Sequence, residues 1–572
     1  MLSNSYNFKR EYATRSFNTV YASFDIWKGI KFASTFSYDF VMNKSRAWKD
    51  PRTSDGDDDN GRFSKDYNDI TNMTWSNILT YQTKIKKKHN LDLLAGYEIN
   101  SKESDGLGTT ISNFARWDKP EVNNGVVYQS MGGSNSTTRI VSYITRANYD
   151  YDNKYYLGAS WRTDGSSRLA RENRWGNFWS LSGAWRVSSE SFMKPLQNWL
   201  SDLKLRVSYG VNGTLPSSYY GYMGLSSLTS NYNDNPGITQ SQLENKELTW
   251  ETNYNFNSGI DLGFFDNRLN VTFEYYVRTT KNLLYSRPLS LATGFSSYLA
   301  NIGKLQNKGY ELEIRSTNIE TKDFRWSTSL NLGHNANKIL KLDGDLKQVT
   351  SGTSIHKVGL PYSTYYMIEF AGIDPVDGEP MFYKNTTDEN GNLNKETTKD
   401  PRSAEKVILQ CADPTITGGL GNSISYKWFD LNFNVNFSFG AWNYDGAAGK
   451  LEHGGDGTLN IPIYYRKRWQ KEGDETSIER FVVGRSISMT DYATTRRLYS
   501  GDYVRLKNLT FGFTLPKTWT RKVGIDNIRL YASGNNLLTW AAYDYIDPES
   551  GSSPSWDTPP MRTYTFGLEV KF

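Results

Sequence analysis

The last eleven residues, Arg562-Thr563-Tyr564-Thr565-Phe566-Gly567-Leu568-Glu569-Val570-Lys571-Phe572, decide the fold. In an extended chain, Tyr564, Phe566, Leu568, Val570 and Phe572 share one face. Thr563, Thr565, Gly567, Glu569 and Lys571 share the other. The period of two runs without a slip, the mark of a strand with one apolar and one polar side. Working backwards, residues 429–441 repeat it. Phe429, Leu431, Phe433, Val435, Phe437 and Phe439 alternate there with Asp430, Asn432, Asn434, Asn436 and Ser438. Residues 268–278 set Leu269, Val271, Phe273, Tyr275 and Val277 against Arg268, Glu274 and Arg278. Residues 247–261 set Leu248, Trp250, Tyr254, Phe256 and Ile260 against Glu251, Asn253, Asn255 and Asn257.

A soluble β-sandwich alternates too. Here the strands run to about 10–15 residues, against about 5–6 in soluble sheets. A tilted membrane strand needs about 9–11. The connections also alternate in length. Short ones (27–29, 86–90, 150–154, 265–267, 427–428) separate long polar ones (43–69, 101–137, 212–246, 279–307, 337–418, 443–500, 538–561). Short periplasmic turns and long outer loops are the pattern of an outer-membrane barrel. Tyr151, Tyr155, Tyr156, Trp179 and Trp428, near strand ends, fit aromatic girdles. The expected fold is all-β, a transmembrane antiparallel β-barrel. About 17 strands can be counted, and plugged transporter barrels have about 22. The reading therefore makes residues 1–572 the C-terminal part of a barrel domain. The plug and first strands lie outside it, leaving an unpaired edge at each end. Phe572 also matches the aromatic terminal signal read by the barrel-assembly machinery.

Composition agrees. The 572 residues include 39 Tyr, 27 Phe, 17 Trp and 47 Gly, which suits strands and turns. Mean hydropathy is −0.64, as expected where lipid-facing and lumen-facing residues cancel. No apolar run is long enough for a membrane helix. The first residues have no signal-peptide pattern. One cysteine, Cys411, excludes an intrachain disulfide, and His89, His334, His356 and His453 lack metal-ligand spacing. A net charge of +5 with no basic stripe argues against nucleic acid. No nucleophile elbow or triad signature is present, so no enzyme activity is expected.

Several stretches carry a more specific likeness. Asn301-Ile302-Gly303-Lys304-Leu305-Gln306-Asn307-Lys308-Gly309-Tyr310-Glu311-Leu312-Glu313-Ile314 resembles the NxGxxxNKGxExxI segment of SusC/RagA-type TonB-linked outer-membrane transporters. Residues 205–213, 248–251, 259–261, 413–422, 468–469, 473–474, 503–516, 531–537 and 567–572 are similar to the same family, in order. The likeness runs from about residue 149 to the end and covers only the barrel. It implies a nutrient importer of oligosaccharides or peptides in the outer membrane of a Gram-negative bacterium of the Bacteroidetes. It also implies a SusD-like surface lipoprotein capping the barrel, and dimers of such pairs. TonB, with ExbB and ExbD, would act through the plug, because the outer membrane holds no ATP. The alternatives are a siderophore-type TonB-dependent receptor and a truncated, non-transporting surface or adhesion protein.

Candidate sites follow from the two faces. Arg268, Glu274, Arg278, Asp430, Asn432, Asn434 and Asn436 point to the lumen, where they contact plug or substrate, or simply water. Trp442, Tyr444, Trp540, Tyr543, Tyr545 and Trp556 fall in outer loops. Their rings suit sugar stacking, or packing within the loops or against a partner. No cofactor is expected. The one candidate for a structural Ca²⁺ is the oxygen-rich stretch 374–392, which lacks an EF-hand frame.

Overall fold

The computed structural model describes residues 5–228, 231–233, 235–342, 346–389, 391–455, 460–484, 491–543, 545–550 and 559–572. Its main feature is a 17-stranded sheet. The strands are β1 (Phe8–Trp27), β2 (Ile30–Lys49), β3 (Arg62–Ile85), β4 (His89–Phe114), β5 (Gly125–Tyr151), β6 (Tyr155–Ser166), β7 (Trp175–Arg186) and β8 (Leu200–Thr214). There follow β9 (Glu251–Phe264), β10 (Leu269–Lys281), β11 (Lys304–Glu320), β12 (Phe324–Lys341) and β13 (Ile416–Tyr426). The last are β14 (Phe429–Phe439), β15 (Tyr503–Thr514), β16 (Asn527–Ala541) and β17 (Thr563–Lys571). Among the described residues, no helix is long and apolar enough to cross a membrane. The chain divides into two compact units. The first holds residues 1–185, 208–255 and 280–302, and the second 186–207, 256–279 and 303–572.

In the first unit, β1 to β7 pair antiparallel with their sequence neighbours. One face of this wall is exposed and apolar, with Trp75, Leu79, Leu157, Trp161, Trp179 and Leu181 standing out. An apolar face of this size and banding suits the hydrocarbon of a bilayer. Two aromatic rows bound it. In one, Tyr97 meets Tyr143 at a tilt and Tyr143 stacks on Trp175; Tyr151, Tyr155 and Trp185 stack in the other. Tyr143 and Tyr151 lie eight residues apart on β5, about 27 Å at ~3.4 Å per residue. A tilt of roughly 40° reduces that to about 20 Å, close to the apolar band of outer-membrane barrels. Tyr156, expected in a girdle, faces the other way and donates to the Asn153 carbonyl at 2.7 Å.

The strands of this unit outrun the sequence reading. β3, β4 and β5 have 24, 26 and 27 residues. Most of 43–69 and 101–137, expected as loops, is paired strand. Beyond the bilayer both faces meet water, so pairing continues after apolar alternation has ended. Hydrophobic cores form at the ends of the wall strands, where they meet the long connections. Trp48, Phe63, Ile111 and Phe114 form one. Leu169, Phe178, Val211, Leu248 and Trp250 form another. Leu248 and Trp250, expected on a wall strand, thus belong to a loop core just before β9.

In the second unit, β11 to β17 pair antiparallel in sequence order. The apolar face again is exposed, through Phe273, Tyr310, Phe511, Leu530, Phe566 and Leu568. The resemblance motif has a structural reason at Gly309. The Tyr276 hydroxyl crosses β11 there and donates to Asn335 at 3.0 Å. A Cβ at Gly309 would lie 2.0 Å from the His334 carbonyl oxygen and 2.6 Å from that hydroxyl. Gly309→Val in the full-length protein is expected to cost about 1–3 kcal/mol through overpacking. The check is the urea midpoint of the heat-resistant barrel band.

Candidate functional site

The polar face of the second unit is built from short amide and hydroxyl side chains. Gly419 and Gly421 on β13 leave a trough between Asn331 and Ser329 on one side and Asn436 and Asn434 on the other. Arg268, Asn432 and Asn434 line a cavity of about 330 Å³ with Asn270, Arg315 and Ser329. Glu274 and Asn436 line a second, of about 770 Å³, with Glu311, Glu313 and Asn331. Five of the seven expected lumen residues therefore lie in two wall cavities. The two others are engaged within the wall. Asp430 accepts from Arg529 at 2.7 and 3.2 Å, in space that Gly512 leaves open. The Arg278 guanidinium lies 4.8 Å from the Tyr276 ring centre. Glu274 is also paired: Arg206 bridges it at 2.7 Å and Asp261 at 2.8 Å. Asp430, Glu274, Asp261 and Glu313 are thus matched by Arg529, Arg206 and Arg315, and uncharged amides supply much of the remaining polar chemistry of the two cavities.

The outer connections of the same unit make a second centre. Tyr499 and Tyr543 stack with ring centres 3.8 Å apart and planes 11° apart. Tyr545 meets Tyr543 at 5.4 Å and Tyr464 at 5.6 Å. The Tyr543 hydroxyl donates to Asp445 at 3.0 Å, and the Tyr464 hydroxyl to Glu452 at 2.5 Å. Burial, then the neighbouring Tyr499 and Asp445, push the Tyr543 phenol up. Burial and Glu452 do the same to Tyr464. Both remain hydrogen-bond donors. Tyr545 is 71% exposed, so the cluster offers a ring to solvent.

Trp442 and Tyr444 are placed differently. The short strand Trp442–Tyr444 pairs with Leu498–Ser500, and both rings pack against Tyr365, Met367 and Leu498. Trp540 is not in a loop: it pairs with Val504 near the end of β16, exposed in line with Leu538 and Leu530. That is a girdle position. Alternation continued two turns of the pleat further than the loop boundary set at 538. Trp556 lies outside the described residues.

Sequence reasoning missed the buried ion network that supports the tyrosines. Glu479 is fully buried and pairs with Arg496; it also accepts from the Tyr465 hydroxyl at 2.9 Å. Glu452 lies 3.6 Å from Arg496 and 3.3 Å from Arg497. Burial opposes the charge of Arg496, but Glu479 and Glu452 hold its guanidinium further into the charged form. Arg505, also buried, binds Asp547 at 2.5 Å and Glu549 at 2.8 Å, so it fixes the connection carrying Tyr543 and Tyr545 to the wall. The adjacent Arg496-Arg497 pair in an outer loop was the only signal available in the sequence.

In the 374–392 stretch, Lys399 reaches Asp374 at 2.6 Å and Asp377 at 2.7 Å, and Arg480 reaches Glu379 at 2.6 Å. Lys399 holds both Asp374 and Asp377 below the usual carboxylate range. Asp374, Asp377 and Glu379 of this stretch are thus each paired with a cation of the chain.

The model of the TonB-dependent receptor-like β-barrel family matches residues 2–537. The chain is 32% identical to TonB-dependent receptor P3 of Formosa agariphila over 96% of its own length and 57% of that relative's. It is 30% identical to TonB-dependent receptor SusC of Bacteroides thetaiotaomicron over 76% of its length and 44% of that one's. A solved structure of the RagAB peptide transporter superposes with a TM-score of 0.88 at 27% identity, covering 99% of this chain and 63% of that one. The chain thus spans little more than half of the first curated relative it matches. Amphipathic wall, polar lumen and ordered motifs agree with these matches: the chain belongs to the outer-membrane TonB-dependent receptor β-barrel family, in its SusC/RagA type.

Proposed function

We propose that this chain forms the barrel of a TonB-dependent nutrient importer for oligosaccharides or peptides, working with a SusD-like surface lipoprotein. The observation that carries the reading is the trough of Asn331, Asn434 and Asn436 beside Gly419 and Gly421. Each primary amide donates and accepts, so the wall suits neutral, hydrogen-bonding oligomers such as glycans and peptide backbones. The tyrosine cluster adds flat apolar faces above it. Relatives named SusC and RagAB, the latter a peptide transporter, support the same reading. Import of bulky solutes through a wide barrel requires a plug that blocks free diffusion. Movement of that plug would be driven through TonB, ExbB and ExbD. The setting is the outer membrane of a Gram-negative, Bacteroidetes-type cell. Dimers of transporter–lipoprotein pairs fit the same scheme.

The test is binding of the full-length transporter, with its lipoprotein, to a panel of neutral glycans and peptides. At least one class is expected to bind, and gene deletion to abolish growth on it. If nothing on the panel binds and growth on every member is unchanged, the import reading fails.

A further inference from the structure

The short connections share a charge pattern that the importer reading does not use. Strand order puts 28–29, 86–88 and 152–154 on one side of the first unit's strands, and 187–199, 265–268, 321–323, 427–428 and 515–526 on one side of the second unit's. On the barrel reading each of these sides is periplasmic. Every one of these connections contains Lys or Arg: twelve in all, against five Asp or Glu. That is a net +7 in a chain whose total is +5. The positive charge of the protein is therefore concentrated on its periplasmic turns, and the rest of the chain is slightly acidic.

In the first unit, Lys28, Lys86, Lys87 and Lys88 are exposed. In the second, Lys194, Lys322, Lys427, Lys517, Arg521 and Lys522 are exposed. Exposed aromatic rings accompany them. Trp27 precedes Lys28, Trp428 follows Lys427, and Trp519 lies between Lys517 and Arg521. Trp185 ends the lower aromatic row of the first unit. These cations are thus continuous with the lipid-facing wall. Indole rings at headgroup depth beside cations at the same level are the pattern of a membrane interface.

We propose that the periplasmic turns bind anionic phospholipid headgroups of the inner leaflet, with Lys86, Lys87 and Lys88 as the densest site. A phosphodiester bearing a net negative charge is the ligand class; a zwitterionic headgroup offsets its own phosphate. Near a membrane surface each basic residue contributes about fivefold in affinity, weakening as salt screens the charge.

The test uses the full-length protein released from detergent in native mass spectrometry, offered equal phosphatidylglycerol and phosphatidylethanolamine. Phosphatidylglycerol should be retained preferentially. K86Q/K87Q/K88Q should lower that retention by about fivefold or more, while phosphatidylethanolamine retention and the heat-resistant barrel band stay unchanged. A second variant, K517Q/R521Q/K522Q, should lower it independently. Equal retention of the two lipids by the unaltered protein overturns the proposal. So does unchanged retention in both variants. If the variants keep their lipids but fail to assemble in cells, the lysines serve a protein partner and the lipid proposal is wrong.

Discussion

Arg496→Met is expected to destabilise the outer region 440–502 by about 3–5 kcal/mol, the usual cost of stranding a buried charge. Arg496 pairs with Glu479, which has no solvent exposure, and approaches Glu452 at 3.6 Å. Removing the guanidinium takes the cation from Glu479 while solvent stays excluded, and Glu452 keeps Arg497 at 3.3 Å. Glu479 still accepts from Tyr465 at 2.9 Å, which offsets part of the loss. Replacing both partners, as Arg496→Met with Glu479→Leu, should cost less than the single change, because no unpaired charge remains. Hydrogen exchange on the full-length protein separates the cases. The single variant should lose protection at 463–467 and 495–500 while strand β15 keeps it. If single and double variants exchange alike, the network is not coupled as described.

Leu568→Arg on β17 is expected to cost about 2–4 kcal/mol, the range for a cation on the lipid face at mid-bilayer. Thr565→Arg, on the opposite face, should cost far less, because water reaches the lumen wall. Leu568 is exposed and pairs with Leu530, itself exposed on β16. Thr565 pairs with Ser533, whose hydroxyl contacts Thr510 at 2.9 Å on the polar face. The readout is the urea midpoint of the folded, heat-resistant band in liposomes. Equal losses at the two positions would mean that neither face is lipid.

Much of the wall was legible because it repeats one physical rule. A strand between lipid and water must alternate, and β14 and β17 do so from end to end. The strand number followed from that rule. The rule ends at the membrane surface, which is why the sequence pattern shows loops where β3, β4 and β5 continue as paired strand. There the backbone pairs without an apolar–polar alternation to announce it, although Phe63, Ile111 and Phe114 are buried. The two longer connections on the short-turn side, 187–199 and 515–526, carry short helices such as Ser191–Leu196 and Lys517–Thr520 that strand periodicity does not signal. Val187 and Met193 pack with Leu200 to hold the first in place, a contact that periodicity does not encode.

The lumen set was partly legible. Parity alone puts Asn432, Asn434 and Asn436 on one face; in the structure Asn432 and Asn434 line one cavity and Asn436 another. What parity could not give is which inward charges are satisfied. Asp430 finds Arg529 ninety-nine residues away, and Glu274 finds Arg206 sixty-eight residues away. The loop aromatics were least legible. Tyr543 and Tyr545 do come together, with Tyr464 and Tyr499. Trp442 and Tyr444 sit in a loop core and Trp540 on the wall, because aromatic residues serve packing, girdle and ligand equally well.

In a membrane barrel the final strand of this chain presents one face to lipid. This is tested most directly by spin labels placed singly at residues 563–571 of the full-length protein in liposomes, with Cys411 replaced by serine. Oxygen accessibility should rise at 564, 566, 568 and 570 and fall at the residues between them, with a water-soluble relaxant showing the opposite phase. Accessibility to the water-soluble relaxant that is uniform along the strand would contradict the account.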